Sequence, residues 1–190
     1  MTDADRQTVL VVEDEKDLAD LYATWLAGEY EVRTAYDAET ALELVDDDVD
    51  VALLDRRMPG TSGDELLAAI RDMGVDCHVA MVTAVDPDFD IVEMPFDTYL
   101  VKPVTREDLT DTVERLLRRS EFDDRQKEYF SLAERQAALQ SEKTERELEQ
   151  SEEYRQLTER IAEIRAELDG AITEFEDDDF ELAFRDLESR

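Results

Sequence analysis

The 190-residue chain has little of several things. A single cysteine, Cys77, excludes an intramolecular disulfide and suits a reducing compartment. No apolar run approaches the length of a bilayer span, so no membrane association is expected. The first residues, Met1 to Arg6, lack the basic-then-apolar pattern of a secretory leader, and the expected location is cytoplasmic. Cations are scarce: 21 Lys and Arg stand against 53 Asp and Glu, for a net charge of −32. That balance excludes a protein that coats phosphate backbones or anionic membranes, both of which require clustered cations. Only four cations are lysines: Lys16, Lys102, Lys127 and Lys143. Acid in excess along the whole chain suits molar salt, where the screening length is about 3 Å.

Short apolar runs alternate with helical patterns over residues 8–119. Thr8–Val12, Val51–Leu54, His78–Val82 and Thr98–Val101 read as strands, and Glu31–Thr34 as a weaker one. Continuous apolar strands of this length fit a parallel sheet covered on both faces. The intervening helices are expected at Asp17–Ala27, with Leu18, Leu21, Tyr22 and Trp25 on one face, and at Ala38–Val45, Asp64–Met73 and Arg106–Arg119. Five β–α units predict an α/β doubly wound domain. Lys102 follows Thr83 by only 19 positions, and the residues between them include Pro87 and Pro95, so the fourth helix must be short, confined to Asp88–Met94.

Composition changes near residue 120. Residues 121–190 hold no proline and one glycine, Gly170. Tyr154, Leu157, Ile161, Ile164, Leu168, Ala171 and Phe175 follow a 3,4 spacing, which predicts a helix-packing or coiled-coil seam. Tyr129, Leu132 and Leu139 form a weaker seam in a different phase, which places a break in Gln140–Glu153. Asp177–Asp179 reads as the cap of a short terminal helix carrying Phe180, Ala183, Phe184 and Leu187.

Polar residues close the predicted strands: Glu13 and Asp14 the first, Asp55 the third, Thr83 the fourth and Lys102 the fifth. Open parallel sheets bind ligands at this end. Three clustered carboxylates repel one another unless a hard cation joins them, and Mg²⁺ accepts a few protein oxygens plus water and phosphate. A phosphoryl group placed on one carboxylate would form an acyl phosphate, with Lys102 and Thr83 meeting its oxygens.

These motifs resemble the receiver domain of two-component response regulators. The matching stretches are VLVVEDE at 9–15, LLDRRMPGTSGDELL at 53–67, VTA at 82–84 and YLVKPV at 99–104. The resemblance implies a flavodoxin-like five-stranded sheet of order 2-1-3-4-5. It implies Asp55 as phosphoacceptor, and Glu13, Asp14, Asp55 and the backbone carbonyl of Arg57 around Mg²⁺. Thr83, Ala84 and Lys102 would serve the phosphoryl group, and Thr83 and Tyr99 the conformational switch. The acidic helical remainder resembles the HalX-type domain of haloarchaeal receiver proteins, giving a receiver at 1–120 and a helical output domain at 121–190.

His78 and Cys77 read as structural, the 154–175 seam as plain helix packing, and the side chains of Arg56 and Arg57 as solvent-facing more than phosphate-binding. The expected function is a switch, not an enzyme, with a histidine kinase as partner and output by protein interaction or homodimerisation through 121–190. A DNA-binding transcription regulator is the alternative. Against it, residues 121–190 carry 10 cations and 23 acids and show no helix-turn-helix. A phosphatase-type enzyme is disfavoured because Arg57 stands where a second acid would be needed.

Overall fold

The computed structural model describes residues 6–85 and 89–188, with side chains as far as 85 and from 91 to 171. It divides into two compact units at Ser120 and Glu121.

The first unit is built on five parallel strands: β1 (Thr8–Val12), β2 (Glu31–Ala35), β3 (Val49–Leu54), β4 (His78–Thr83) and β5 (Thr98–Val101). Their order is 2-1-3-4-5. Apolar residues fill both faces because both are covered. Leu10, Val12, Ala52, Leu54, Val79 and Met81 meet α2 (Ala38–Leu44) and α3 (Gly63–Met73). Val9, Val11, Val51, Leu53, Ala80 and Val82 meet α1 (Lys16–Leu26) and the start of α4 (Arg106–Glu142), through Leu109, Val113, Leu116 and Leu117. Alternate residues of one strand thus enter opposite cores, as the two-residue repeat of a strand demands. The register pairs Val12 with Ala35 and Leu54, Leu54 with Met81, and Thr83 with Val101. The strands therefore end together, which places their following residues on one rim.

Local sequence sets the helix boundaries. Asp37 caps α2 by accepting from the Thr40 amide at 2.7 Å. Ser62 and Glu65 form a capping box at the start of α3, and Gly74, at φ +76°, ends it in the left-handed conformation.

The fourth helix is short and lies within Asp88–Met94, as expected: it is a 3₁₀ helix, Phe89–Glu93, because Pro95 follows too closely for an α-helix to develop, so four α-helices flank the sheet. Pro87 and Asp88 lie outside the described residues. Two other expectations for this unit need correction. On α1, Leu21 is 41% exposed, and Ala19 and Leu26 are buried in its place. Arg56 is buried instead of facing solvent.

The second unit is helical. The C-terminal part of α4 is followed by α5 (Glu145–Gln150) and α6 (Glu152–Glu188). Breaks fall at Lys143–Thr144 and at Ser151, inside the expected polar stretch. Both are capped: Thr144 makes a capping box with Glu147, and the Ser151 hydroxyl accepts from the Tyr154 amide at 3.1 Å. Antiparallel contacts then pair α4 with α6. Gln136 donates to Thr158 at 3.2 Å, Gln140 to Tyr154 at 2.8 Å, and Arg160 grips Glu128 at 3.0 and 3.1 Å. Tyr154, Leu157, Ile161, Ile164, Leu168 and Ala171 are all at least half-buried, and Ile164 is fully so. The seam therefore packs within the chain. The Phe175 side chain lies outside the described residues. Leu139, at the end of the weaker seam, is 37% exposed, whereas Tyr129, Leu132, Ala133 and Gln136 are half-buried. The separate terminal helix is absent too, because α6 runs unbroken through Asp177–Asp179. An established helix extends without a new nucleation cost, so residues able to cap do not interrupt it.

Candidate functional site

The rim gathers all the polar strand ends expected from the sequence. Glu13 is 2% exposed, Asp55 is buried and Asp14 is half-buried. One carboxylate oxygen from each lies within 4.8 Å of the others. The backbone holds the group together: the Asp55 amide donates to the Val12 carbonyl at 2.9 Å, and the Lys102 amide to the Thr83 carbonyl at 2.8 Å. The Asp55 carboxylate accepts from the Arg57 amide at 3.2 Å.

Lys102 crosses from β5 to the acids. Its Nζ lies 2.6 Å from Glu13 Oε2 and 3.1 Å from Asp55 Oδ2. Burial pushes the Glu13 carboxyl above its usual range, against the hydrogen bond and charge of Lys102, and the nearby Asp55 charge adds to the rise. Burial alone would lower Lys102, but its bonds to Glu13 and Asp55 outweigh that and hold it above its usual value. One ammonium faces three carboxylates, so the rim keeps an excess of negative charge. That excess, with oxygen-only donors at this spacing, fits a hard divalent cation.

Thr83 is fully buried at the end of β4, and its Oγ1 accepts from the Val85 amide at 3.4 Å. Tyr99 donates its hydroxyl to the Val85 carbonyl at 2.8 Å and stacks obliquely on Phe96, with ring centroids 5.6 Å apart. Thr83 and Tyr99 thus share Val85 as a neighbour. Ala84 is exposed beside them, and the Arg57 side chain is exposed at the rim.

Two residues of this site, Gly63 and Val85, escaped the sequence reading as individuals, and a third, Arg56, was read there only as solvent-facing. A Cβ on Gly63 would lie 2.1 Å from the Asp55 carbonyl oxygen, so no other residue fits there. Arg56 bonds Asp64 in two-pronged fashion. Val85 acts through its backbone alone. The Ser62 and Glu65 cap pattern marks the start of α3, but the roles of these three residues depend on which elements meet.

Comparison with known proteins now decides the family. The "Response regulator receiver domain" family matches residues 9–114, and the "HalX domain" family matches 118–184. The chain belongs to the response regulator receiver family. This receiver is 54% identical over 170 residues to a Haloferax volcanii protein named "Putative transcriptional regulator", covering 89% of this chain and 29% of that protein. Its identity to the transcriptional regulatory protein CpxR of Escherichia coli is 36%, over 62% of this chain and 52% of CpxR. The chain thus spans less than a third of the first relative and about half of the second. Among solved structures, a CheY-like receiver domain from Methanospirillum hungatei superposes with a TM-score of 0.57 at 26% identity, covering 61% of this chain and 97% of that one. TrrA from Thermotoga maritima, solved in complex with Mg²⁺–BeF, gives a TM-score of 0.50 at 31% identity over 58% of this chain and 99% of that one. The acidic triad of Glu13, Asp14 and Asp55 is of the kind that receivers use for Mg²⁺.

Proposed function

We propose that this receiver is a phosphorylation switch that takes a phosphoryl group onto Asp55 from a histidine kinase in the cytoplasm. The observation that carries the reading is Lys102 Nζ bonded to both Glu13 and Asp55, with Asp14 in reach of both carboxylates. An Asp55 oxygen attacks the phosphorus of the phosphohistidine, the P–N bond breaks, and an aspartyl phosphate forms. Lys102 offers its charge to one phosphoryl oxygen and Thr83 its hydroxyl to another, with Ala84 leaving space beside them. Glu13, Asp14, Asp55 and the Arg57 carbonyl would hold Mg²⁺, which neutralises the phosphoryl charge when bound. The acceptor is stoichiometric, so the protein is a switch and not a turnover enzyme. Thr83 and Tyr99 carry the change, since rearrangement at either alters what Val85 bonds to.

Residues 1–120 are the receiver and 121–190 the output domain in this reading. Output runs by protein interaction or homodimerisation. Because α6 already fills the inner seam, a partner would meet the outside of the helical pair, where Phe130 is 58% exposed. A second reading, DNA-binding transcription control, is favoured by the regulatory names of the Haloferax protein and CpxR. The excess of acid over base in residues 121–190 weighs toward protein as the target.

Intact mass after treatment with acetyl phosphate and Mg²⁺ tests the site. One added phosphate is expected, lost in Asp55→Asn. Labelling that persists in that variant overturns the assignment.

A further inference from the structure

Lys102 already stands where a cation is wanted. Its Nζ is closer to Glu13 Oε2, at 2.6 Å, than to Asp55 Oδ2, at 3.1 Å, so the shorter bond goes to Glu13 and not to the phosphoacceptor. The Lys102 side chain is 12% exposed and that of Glu13 2%. Both groups have given up most of their water, and each compensates the other. The other Glu13 oxygen, Oε1, faces the Glu15 amide at 3.4 Å, a long bond that replaces little of that water.

An ammonium and a divalent ion cannot both hold Glu13 on these terms. Mg²⁺ takes carboxylate oxygens directly, and its double charge repels an ammonium hydrogen-bonded to the same group. Lys102 has a second seat, because Asp55 Oδ2 already accepts from it. Among the buried and half-buried groups of the rim, three carboxylates against one ammonium leave two negative charges. A divalent ion neutralises these with Lys102 still present, so the ammonium need only shift, not depart.

We propose that Lys102 is the resident counter-ion of the metal site: it holds Glu13 while the site lacks metal, and a divalent ion displaces it from Glu13 toward Asp55, where the phosphoryl group arrives. The exchange rests on the reading of Asp55 as phosphoacceptor and of the three acids as Mg²⁺ ligands. It sets Lys102 against the metal at Glu13 and gives the reaction an order, metal before phosphoryl donor. Linkage makes the opposition mutual: what Lys102 costs the metal in affinity, the metal costs the bond between Lys102 and Glu13.

The test uses the full chain in molar KCl and mildly alkaline buffer, so that Glu13 stays ionised. The chain has only four lysines, so lysine carrying ¹³C at Cε gives four NMR signals, and the one missing in Lys102→Gln belongs to Lys102. Mg²⁺ should shift that signal and leave those of Lys127 and Lys143 still. In metal-free Glu13→Gln the Lys102 signal should already have moved in the direction that Mg²⁺ moves it in the wild type. By calorimetry, Lys102→Gln should bind Mg²⁺ roughly tenfold more tightly than the wild type, because a larger negative charge among oxygen ligands strengthens a hard-ion site. Lys102→Arg, which keeps the charge, should stay within a few fold of the wild type. A Lys102 signal that ignores Mg²⁺ overturns the exchange, as does a Lys102→Gln affinity equal to or below that of the wild type. Should Lys102→Gln fail to fold, Lys102→Arg assigns the signal and the wild-type titration decides. A wild type that binds no Mg²⁺ sinks the metal site and the exchange with it, whereas binding that Lys102→Gln leaves unchanged sinks the exchange alone. Loss of label in Asp55→Asn judges the phosphoacceptor separately.

Discussion

The two units reach order by different means. In the first, a sheet is covered on both faces, and Leu10, Leu54, Ile70 and Leu109 are fully removed from water. In the second, Ile164 is the one fully buried apolar side chain among the described residues. What the helical unit has instead are one capping box, the Ser151 cap, Arg160 on Glu128, Arg125 on Glu167 and a half-buried seam. Burial is nearly indifferent to salt, whereas the repulsion of a chain at −32 is not. The comparison teaches that the helical unit should be the responsive part and the receiver the scaffold.

The largest effect expected is on salt dilution. Lengthening the screening distance from about 3 Å to about 10 Å should melt the helical unit before the receiver. The single tryptophan, Trp25, lies on α1 in the receiver, so its fluorescence follows that unit alone, while circular dichroism at 222 nm follows both. Helical signal should fall over a KCl range in which Trp25 emission holds. Coincident transitions, or none, would erase the distinction.

Core deletions sharpen it. Leu10→Ala should cost the receiver about 4 kcal/mol, because a packed sheet cannot close the cavity. Ile164→Ala should cost about 2 kcal/mol, since half-exposed neighbours can collapse onto the gap, and it should leave the Trp25 transition unmoved. Denaturant melts with both probes measure this.

A third test probes a charged cluster that binds the far end of the receiver. Asp97 lies 3.0 Å from His78 Nδ1, 3.4 Å from Arg71 and 3.8 Å from Arg119, and accepts from the Val79 amide at 2.9 Å. Burial would raise its carboxyl, but the bonds from His78 and Val79 prevail and hold it below 3.8. Its contribution is thus fully present above the unfolded value and lost as pH falls through the lowered folded one. Asp97→Asn should cost about 2 kcal/mol at neutral pH and flatten the acid limb of the receiver's stability curve. An unchanged acid limb would refute the role.

The smallest effect concerns the turn between α4 and α6. Thr144→Ala should lower the helical transition by roughly 4 °C through loss of the capping box, with the receiver transition fixed.

The receiver was legible because its signals are local. Four apolar runs and the weaker Glu31–Thr34 became five strands within a residue or two, and Glu13, Asp14, Asp55, Thr83 and Lys102 meet because parallel strands in register end together. The helical unit was legible as a period but not as a fold. The 154–171 seam reads the same whether its partner is another chain or the same chain turned back, and the contacts between α4 and α6, such as Gln136 on Thr158, Gln140 on Tyr154 and Arg160 on Glu128, decide it.

By itself, then, the sequence determined the order of elements, the acidic rim and a break within Gln140–Glu153, since each depends on neighbours a few residues apart. Tertiary structure alone decided that Arg56 turns to Asp64, that Gly63 must lack a side chain, and that Thr83 and Tyr99 share Val85. Those outcomes depend on distances between separate elements, and nothing in the spacing of residues along a chain specifies a distance across it until the cores have packed.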